Sequence, residues 1–329
     1  MSDLFCAPVL IPTICRYKHF KLCVDSLSKC VDADKTDLYI GLDYPAKEAH
    51  WKGYNKILEY VDSISGFRNV YIFKRDVNLG QKKNMADLRQ RAEDDGHLAY
   101  IISEDDNEFS QNFLLYMNQC LVKYQHDPRV MAVCGFSHPE WTDMGKYTAN
   151  AFPMHGFCAY GYGTWFAKLN IYHNFISDKE IVANPKLVHK LFKCRQHKTI
   201  HRLLFRQGVS SGDLRRVCYA ELMDQYSIFP VISKVRNHGY DGEGRNCKVI
   251  NIYERMKIDE GKTFVLDEFD FKNDPDIKRL HDIHYSINWR IRMLSRIEYG
   301  FYRCFGCSFH DSKIIRKMQR WRVKNVLNK

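Results

Sequence analysis

The sequence predicts an α/β protein with a Rossmann-like, mostly parallel sheet flanked by helices and a helical extension at the C-terminus. Short apolar runs alternate with segments of helical spacing through the first 135 residues, which is typical of a parallel, doubly wound sheet. From residue 285 onward, apolar and basic residues recur at helical spacing. A chain of 329 residues that is 45% hydrophobic and 14% aromatic is expected to be globular.

Each element is predicted from a local pattern. Strands are assigned to short apolar runs bounded by turn residues, and helices to segments in which apolar residues recur every three or four positions. The predicted strands span residues 7–12, 37–43, 69–73, 98–102, 129–134 and 227–232. The predicted helices span residues 17–30, 51–64, 81–94, 111–124 and 186–206. Between Pro139 and residue 186 the pattern is irregular, and glycines interleave with aromatic residues.

Several classes of protein are disfavoured by composition. No run of 18 apolar residues occurs, so no transmembrane helix is predicted. The segment from Met1 to Pro12 lacks the basic and then apolar pattern of a signal peptide, so we expect none. The 12 cysteines are then expected to be reduced thiols, and only Cys304 and Cys307 have the close spacing of a metal or redox pair, without a second pair.

Positive charge is concentrated in two segments. The net charge is +11, yet residues 285–329 alone carry eleven Lys or Arg against two acids, and residues 186–216 carry nine against one. The remainder of the chain is therefore acidic. Such localised charge indicates an anionic partner: a membrane surface, a nucleic acid or a phosphorylated substrate.

An acidic cluster lies directly behind one predicted strand. Ser103-Glu104-Asp105-Asp106 follows the apolar run from Leu98 to Ile102. Adjacent carboxylates at the rim of a core repel one another, and a divalent cation such as Mg²⁺ or Mn²⁺ reverses that repulsion. The alternative interpretation is a solvated turn, in which the acids favour the N-terminus of a helix that begins near Ser110.

Polar residues also follow the other predicted parallel strands. Thr13 and Arg16 follow the first strand, Asp43 ends the second, and the third is followed by the segment 76–80 and then Lys82. In an open α/β sheet these loops share the carboxyl edge, where ligands bind. The site could therefore hold a nucleotide. The chain lacks both the Gly-x-Gly-x-x-Gly of dinucleotide-binding folds and the Gly-x-x-x-x-Gly-Lys-Ser/Thr of P-loops.

A set of short motifs occurs in one order along residues 7–250. The motifs are Pro8-Val-Leu-Ile-Pro-Thr13, Asn78-Leu-Gly80, Ser103-Glu-Asp-Asp106 with Phe113-Leu114, Gly161-Tyr-Gly-Thr-Trp165 and Asn237-His-Gly-Tyr-Asp-Gly-Glu-Gly244. In that order the set resembles the GT-A-fold glycosyltransferases. The closest likeness is to bacterial family 2-type enzymes of surface-polysaccharide assembly, with a more distant likeness to Golgi N-acetylglucosaminyltransferases that use a Glu-Asp-Asp motif.

The resemblance implies a division of the chain and an activity. Residues 1–250 would form a GT-A catalytic domain, with a nucleotide-binding half at 1–135 and an acceptor half at 136–250, and residues 251–329 a basic, mainly helical extension. The activity would be metal-dependent, inverting transfer of a hexose or N-acetylhexosamine from a nucleotide-sugar, a UDP-sugar being favoured, to a hydroxyl group. The cofactor would be Mn²⁺ or Mg²⁺, and the product a surface polysaccharide or glycolipid.

The resemblance also implies residue roles. Asp106 would bind the metal, with His238 as a further metal contact or, alternatively, a loop histidine bonded to backbone. Asp105 would face the ribose and Asp43 the base. The sugar and acceptor pocket would include Gly161, Tyr162, Gly163, Trp165 and Arg245, or else Gly161 to Trp165 would be a glycine-rich core turn. The remaining nucleotide contacts would come from Pro12, Thr13, Arg16, Asn78, Lys82 and Glu104.

Inverting transfer needs a base that deprotonates the acceptor hydroxyl. Asp213, in Gly212-Asp213-Leu-Arg-Arg216, resembles a degenerate form of the Asp-Asp-x-x-Arg segment of the Golgi enzymes, although the flanking tryptophans are missing and a long basic insertion precedes it. Glu221 and Asp224 are the alternatives. Asp213 could instead be a helix N-cap.

The basic tail lies outside the resemblance. Its mixture of arginine, tryptophan and aliphatic residues suits an anionic membrane interface, as an enzyme with a lipid-linked acceptor would need, or else a helix packed on the catalytic domain. We therefore expect a cytoplasmic protein, peripheral on the inner face of the cell membrane, with a carbohydrate or lipid-linked acceptor and no nucleic-acid partner. The competing interpretations are a nucleotidyltransferase on a similar sheet and a basic nucleic-acid- or membrane-binding protein without catalysis.

Overall fold

The computed structural model describes residues 6–141, 143–205, 212–241, 253, 255–271, 274–285 and 289–307. Within these ranges the strands are β1 (Val9–Thr13), β2 (Asp37–Leu42), β3 (Asn69–Lys74), β4 (Ala99–Ile102), β5 (Asn107–Phe109), β6 (Val130–Cys134), β7 (Ala151–Met154), β8 (Tyr162–Trp165), β9 (Tyr226–Pro230) and β10 (Val235–Asn237). The α-helices are α1 (Tyr17–Leu27), α2 (Trp51–Val61), α3 (Gly80–Asp94), α4 (Phe113–Lys123), α5 (Phe166–His173), α6 (Asp178–Ala183), α7 (Pro185–Lys193), α8 (His197–Phe205), α9 (Gly212–Met223), α10 (Pro275–Tyr285) and α11 (Trp289–Phe305).

The eight-stranded sheet confirms the predicted α/β class with a mixed, mostly parallel sheet. Its strand order is β3-β2-β1-β4-β8-β6-β9-β7. Strands β1 to β4 pair in parallel, with Ile11 opposite Ile40 and Val9 opposite Ile101, and β6 pairs in parallel with β9. Strand β8 runs antiparallel between β4 and β6, and β7 is an antiparallel edge strand. Helices flank the sheet and complete the C-terminal part of the described chain.

The strand order creates a topological switch point between β1 and β4. From β1 the chain moves outward through β2 to β3, and it then returns to place β4 on the other side of β1. The loops after β1 and after β4 therefore diverge from adjacent strand ends and leave a crevice at the carboxyl edge, which is where open α/β sheets bind ligands.

Packing divides the chain into two compact units. Unit 1 comprises Met1–Met154, Cys158–Ile171 and Tyr226–Ile277, and it contains the whole sheet. Unit 2 comprises His155–Phe157, Tyr172–Gln225 and Lys278–Lys329, and it is helical where described. The functional halves predicted from the sequence, which divide at residues 135 and 250, stay a prediction.

Two sequence-based expectations are wrong. The segment 186–206 is two helices, α7 and α8, because the chain turns between them with Arg195 at a φ of 59°. The segment around Gly161 is not irregular, since residues 162–165 form the buried strand β8. In the described part of the chain, the eleven cysteines are all free thiols, and no helix there has the length and apolar character needed to cross a membrane.

Candidate active site

The acidic cluster forms a turn at the switch point. Residues 103–106, here called the acid turn, connect β4 to β5 at the carboxyl end of β4. Asp105 and Asp106 are only 5% and 6% exposed, whereas Glu104 is half-buried. Two adjacent carboxylates are thus withdrawn from water, which is unfavourable unless each is paired and hydrogen-bonded. The solvated turn considered above as an alternative therefore does not describe Asp105 and Asp106.

The loop after β1 supplies the compensating groups. The Arg16 guanidinium bridges the two carboxylates: one nitrogen donates to Asp105, and Nη1 donates to Asp106 Oδ2 over 2.7 Å. Thr13 Oγ1 donates to Asp105 Oδ2 over 2.9 Å. Burial raises the pKa of Asp105 above its ordinary value, and Arg16 and Thr13 oppose that rise. Burial lowers the pKa of Arg16, but the two carboxylates outweigh it and raise that pKa overall, so the guanidinium remains charged.

A second, two-stranded sheet of β5 and β10 holds the acid turn from the other side. We call this sheet the ribbon. Asn237 Nδ2 donates to Asp106 Oδ1 over 2.7 Å, and the backbone N–H of His238 donates to the carbonyl oxygen of Asp106 over 2.8 Å. Gly239 lies directly against the carboxylate, since a Cβ at this position would clash with Asp106 Oδ2. The ribbon therefore fixes the Asp106 side chain and requires glycine beside it.

Glu108 on the ribbon lies between two basic side chains. Its Oε2 atom accepts from Arg236 Nη1 over 3.0 Å and lies 2.9 Å from His238 Nε2. The hydrogen bond with His238, followed by the charge of Arg236, holds the pKa of Glu108 below its ordinary value. The Nε2 atom of His238 is thus engaged by Glu108, and the predicted role of His238 as a metal ligand stays a prediction.

Asp43 connects the end of β2 to the start of α3. Its carboxylate is buried and accepts from the backbone N–H groups of Leu79 and Gly80, each over 2.8 Å. Asn78 Nδ2 donates to the carbonyl oxygen of Tyr44 over 2.6 Å and lies 3.4 Å from Asp43. Asp43 thereby satisfies backbone donors at the N-terminus of α3, whose macrodipole favours an anion. Its predicted contact with a nucleotide base stays a prediction.

The other predicted nucleotide contacts lie on the same unit. Pro12 is the half-buried fourth residue of β1, and Lys82 is exposed in the first turn of α3. Both therefore belong to elements that end or begin at the carboxyl edge of the sheet. No contact assigns either residue a ligand role, so these predictions also remain predictions.

The residues predicted to line a sugar and acceptor pocket belong to the packed sheet. Tyr162 and Trp165 are buried in β8, and Trp165 Nε1 donates to the carbonyl oxygen of Leu121 over 3.1 Å. A Cβ on Gly163 would contact Met117 of α4 at 3.0 Å, and Gly161 has a φ of 67°. These glycines are needed for close packing and turning of the backbone. Their predicted pocket role is untested, and Arg245 lies outside the described residues.

The three candidate bases all belong to unit 2, in or just after helix α9. Asp213 is exposed at the second position of α9. Glu221 is buried, accepts from Gln196 Nε2 over 2.6 Å, and lies 2.9 Å from His281 Nε2. Asp224 is exposed, and one of its carboxylate oxygens lies 3.4 Å from His155 Nε2. A general base must reach the acceptor hydroxyl, and of the three, Glu221 is the one whose carboxylate is enclosed by internal partners.

The donor chemistry of the acid turn fits a hard divalent cation. Each oxygen of Asp106 accepts one hydrogen bond, from Asn237 or from Arg16, and retains further acceptor capacity. Carboxylate oxygens are the ligands that Mg²⁺ and Mn²⁺ prefer. Because Arg16 offsets one of the two carboxylate charges, the group keeps about one negative charge, which would leave a divalent cation bound here only partly neutralised. The arrangement thus fits a metal that arrives together with a negatively charged ligand.

Comparison with known proteins gives similarity to solved structures only. A scan against protein-family models and a search of curated proteins found no match to this chain. The structure of GalNAc-T7 with UDP, GalNAc and Mn²⁺ matches with a TM-score of 0.43 and 12% identity, over 71% of this chain and 44% of that one. S. aureus TarS 1–349 matches with a TM-score of 0.41 and 10% identity, over 69% of this chain and 60% of that one. The structure of S. aureus TarS 1–349 in complex with UDP-GlcNAc matches with a TM-score of 0.35 and 14% identity, over 48% of this chain and 45% of that one.

This chain thus spans less than two thirds of the length of the chains that it matches. At these scores and identities, the similarity does not extend to individual residues.

Sequence reasoning missed the residues that the ribbon contributes. The sequence around Glu108 indicates no role for it, and Asn237 and Gly239 stand out only as members of a glycine-rich motif. The hydrogen bond of Asn237 to Asp106 joins residues separated by 131 positions. The available signal was the Asn-His-Gly triplet, since a polar residue followed two positions later by glycine is typical of a turn that approaches another group closely.

Proposed function

We propose that this protein is a metal-dependent glycosyltransferase that moves a hexose or N-acetylhexosamine from a nucleotide-sugar, a UDP-sugar being favoured, to a hydroxyl group. One observation carries the proposal: the buried pair Asp105 and Asp106 lies at the switch point between β1 and β4, bridged by Arg16. This is the position at which open α/β sheets bind nucleotides. The pair offers oxygen ligands for a metal, and the arginine offers donors for phosphate.

The groups of unit 1 support a division of labour. Asp106 would hold Mn²⁺ or Mg²⁺, which when bound neutralises the negative charge of the departing nucleoside diphosphate. The Arg16 guanidinium has five N–H donors. It can donate some of them to a bound diphosphate in place of part of its contact with the two carboxylates. Asp105 is assigned to the ribose and Asp43 to the base.

The proposed transfer is a single displacement at the anomeric carbon of the sugar. The acceptor oxygen forms a bond to the anomeric carbon of the sugar while the bond from that carbon to the diphosphate oxygen breaks. The acceptor proton passes to a carboxylate base, for which Asp213 is the first choice, and the nucleoside diphosphate leaves with the bonding electrons. One displacement inverts the anomeric configuration. The acceptor class we propose is a carbohydrate or lipid-linked hydroxyl in polysaccharide or glycolipid assembly.

Nucleotide release provides the test. The purified full chain is incubated with a panel of UDP-, GDP-, ADP- and CMP-sugars and Mn²⁺ or Mg²⁺, and both nucleotide and pyrophosphate are measured. We expect slow hydrolytic release of a nucleoside diphosphate from one donor class, and loss of that release in Asp106→Asn. Asp62→Asn, an exposed carboxylate at the end of α2, is the matched control. A parallel assay supplies a nucleoside triphosphate and a sugar 1-phosphate in place of the sugar nucleotide. Release of pyrophosphate there, with no nucleotide released from any sugar nucleotide, would indicate a nucleotidyltransferase and contradict the proposal.

A further inference from the structure

Helix α11 in unit 2 is oriented by polar contacts on its buried side. Glu298 is buried, and its carboxylate lies 2.6 Å from Nδ1 of His201 on α8. Ser295 is also buried, and its hydroxyl lies 3.1 Å from Nδ1 of His197. These two residues are three positions apart and therefore share one side of the helix. The contacts with α8 set the rotation of α11 about its axis.

The opposite side of α11 presents apolar residues to solvent. Trp289, Met293 and Ile297 are 66%, 52% and 52% exposed. They recur every four residues, so they form one continuous stripe, which we call the apolar stripe. Large apolar side chains exposed together in this way mark an interaction surface. The inner side of the same helix carries Glu298 and Ser295 together with Tyr299 and Tyr302, which pack on the hydrophobic cluster of unit 2, so the exposed apolar stripe is a second apolar face.

Arginines flank the apolar stripe. At 100° per residue, Arg292, Arg296 and Arg303 fall along one flank and Arg290 along the other, and all four are exposed. The acidic side chain of this 17-residue helix, Glu298, lies on the buried side and contacts His201. The exposed side of α11 therefore combines apolar side chains, a tryptophan and positive charge.

We propose that this face of α11 docks on an anionic lipid surface, with the apolar stripe entering the headgroup boundary and the flanking arginines contacting lipid phosphates. Charge complementarity selects this occupant. A second copy of the chain would bring like-charged arginines together, and a nucleic acid would leave the apolar stripe in water. Amphipathic helices with arginine on the polar flank and tryptophan on the apolar face are typical of anionic membrane interfaces.

Vesicle co-sedimentation of the full chain tests the surface. Vesicles of phosphatidylcholine with 30% phosphatidylglycerol are compared with pure phosphatidylcholine. We expect binding to the anionic vesicles that weakens as salt rises, because screening shortens the reach of the charges. The triple variant Arg290→Gln, Arg296→Gln and Arg303→Gln should bind the anionic vesicles about 100-fold more weakly. This follows because each basic residue near an anionic surface strengthens binding by roughly fivefold, and the variant removes three of them.

Matched controls separate this helix from general charge and hydrophobicity. The triple variant Lys47→Gln, Lys52→Gln and Lys56→Gln removes the same charge from exposed positions on unit 1 and should bind like the parent protein. The pair Trp289→Ser and Ile297→Ser should lose binding, whereas Val265→Ser, which removes another exposed apolar side chain, should not. Circular dichroism melts verify that each variant is folded.

Three outcomes would overturn the proposal. The first is equal weakening by the lysine and arginine variants. The second is a concentration-dependent dimer in analytical ultracentrifugation that disappears in the apolar variant, which would make a second copy the occupant. The third is a DNA or RNA duplex that binds more tightly than vesicles and depends on the arginines alone. Because no sugar nucleotide is present in any of these assays, failure here leaves the proposed transferase activity to its own test.

Discussion

The acid turn and helix α11 depart from the ordinary arrangement of a globular protein in opposite ways. At the acid turn, two carboxylates are withdrawn from water, and each is paired with the half-buried guanidinium of Arg16 and with a group from another segment. On α11, apolar side chains remain in water while a carboxylate is buried. Burying charge and exposing apolar surface are both unfavourable, and a ligand can relieve either. The comparison therefore points to a polar, anionic ligand at the first region and an apolar, anionic surface at the second.

The largest expected effect comes from neutralising one carboxylate of the acid turn. Asp106→Asn keeps the shape of the side chain and removes the charge that faces Arg16. We expect sugar-transfer turnover to fall by about 10²- to 10³-fold, the range seen when one electrostatic stabiliser is lost. Turnover is measured by coupled detection of the nucleoside diphosphate, and Asp62→Asn serves as the control. Full activity in EDTA, or in Asp106→Asn, would contradict the metal role of this residue.

A buried lysine beside the ribbon tests whether a buried charge in unit 1 is tolerated only while its ion-pair partner is present. Lys234 is buried, forms an ion pair with Asp259, and has a pKa lowered by burial. Lys234→Met leaves the partner uncompensated and should lower the free energy of unfolding by about 3 kcal/mol. Urea denaturation measures the change.

The double variant Lys234→Met with Asp259→Asn should recover most of that loss, because no charge is then left unpaired. Lys278→Met, at an exposed ion pair of 3.7 Å, should change stability by less than about 0.5 kcal/mol. If Lys234→Met and Lys278→Met lowered the free energy of unfolding equally, burial of the Lys234–Asp259 pair would not matter for stability.

Variants of the three candidate bases, which all lie in unit 2, test which residue deprotonates the acceptor hydroxyl. Asp213→Asn should lower turnover by roughly 10²-fold with little change in donor affinity, as expected when general-base catalysis is lost. The pH profile of turnover is compared with that of Glu221→Gln and Asp224→Asn. If either alternative variant loses turnover and Asp213→Asn does not, the base is the alternative residue.

The smallest expected effect concerns the contact that orients α11. Glu298 raises the pKa of His201, so the charged histidine is favoured in the folded protein. A raised folded pKa gives a contribution that is fully present below the unfolded value of about 6.5 and is lost as pH rises through the folded pKa. His201→Gln should therefore destabilise unit 2 by about 1 kcal/mol at pH 5.5 and by less at pH 9.

Urea denaturation at both pH values measures this difference, and His189→Gln, an exposed histidine on α7, is the control. A loss that is the same at both pH values would show that the charge of His201 contributes nothing. Vesicle binding of His201→Gln then reports whether the orientation of α11 matters for docking.

The sequence predicts the parallel half of the sheet well. Strands β2 and β4 are buried throughout and read as continuous apolar runs, whereas the edge strand β3 is not buried and is recognised from its β-branched and aromatic residues. The predicted strand 69–73 is observed as Asn69–Lys74, and 37–43 as Asp37–Leu42. The convergence of Arg16 with Asp105 and Asp106 was also predictable, since adjacent parallel strands end at one edge. This part of the candidate site needs only strand order.

The rest of the site depends on pairing between distant segments, which local patterns do not encode. Strand β8 has two glycines near it and no alternation of apolar and polar residues, and its place between β4 and β6 is decided by long-range pairing. Strands β5 and β10 have three residues each, too few to give a periodic signal. Asn237 therefore could not be placed beside Asp106 from its sequence neighbours.

The ribbon also sets the order in which the site can be made. Strand β5 is synthesised about 130 residues before β10, with which it pairs, and the intervening chain includes about half of unit 2. Closing so long a loop costs entropy that only the finished contacts offset, so this step is expected late in folding. A nascent chain that ends before residue 235 would carry Arg16, Asp105 and Asp106 without the strand that fixes them. The proposed donor site would then be complete only when synthesis has passed the ribbon.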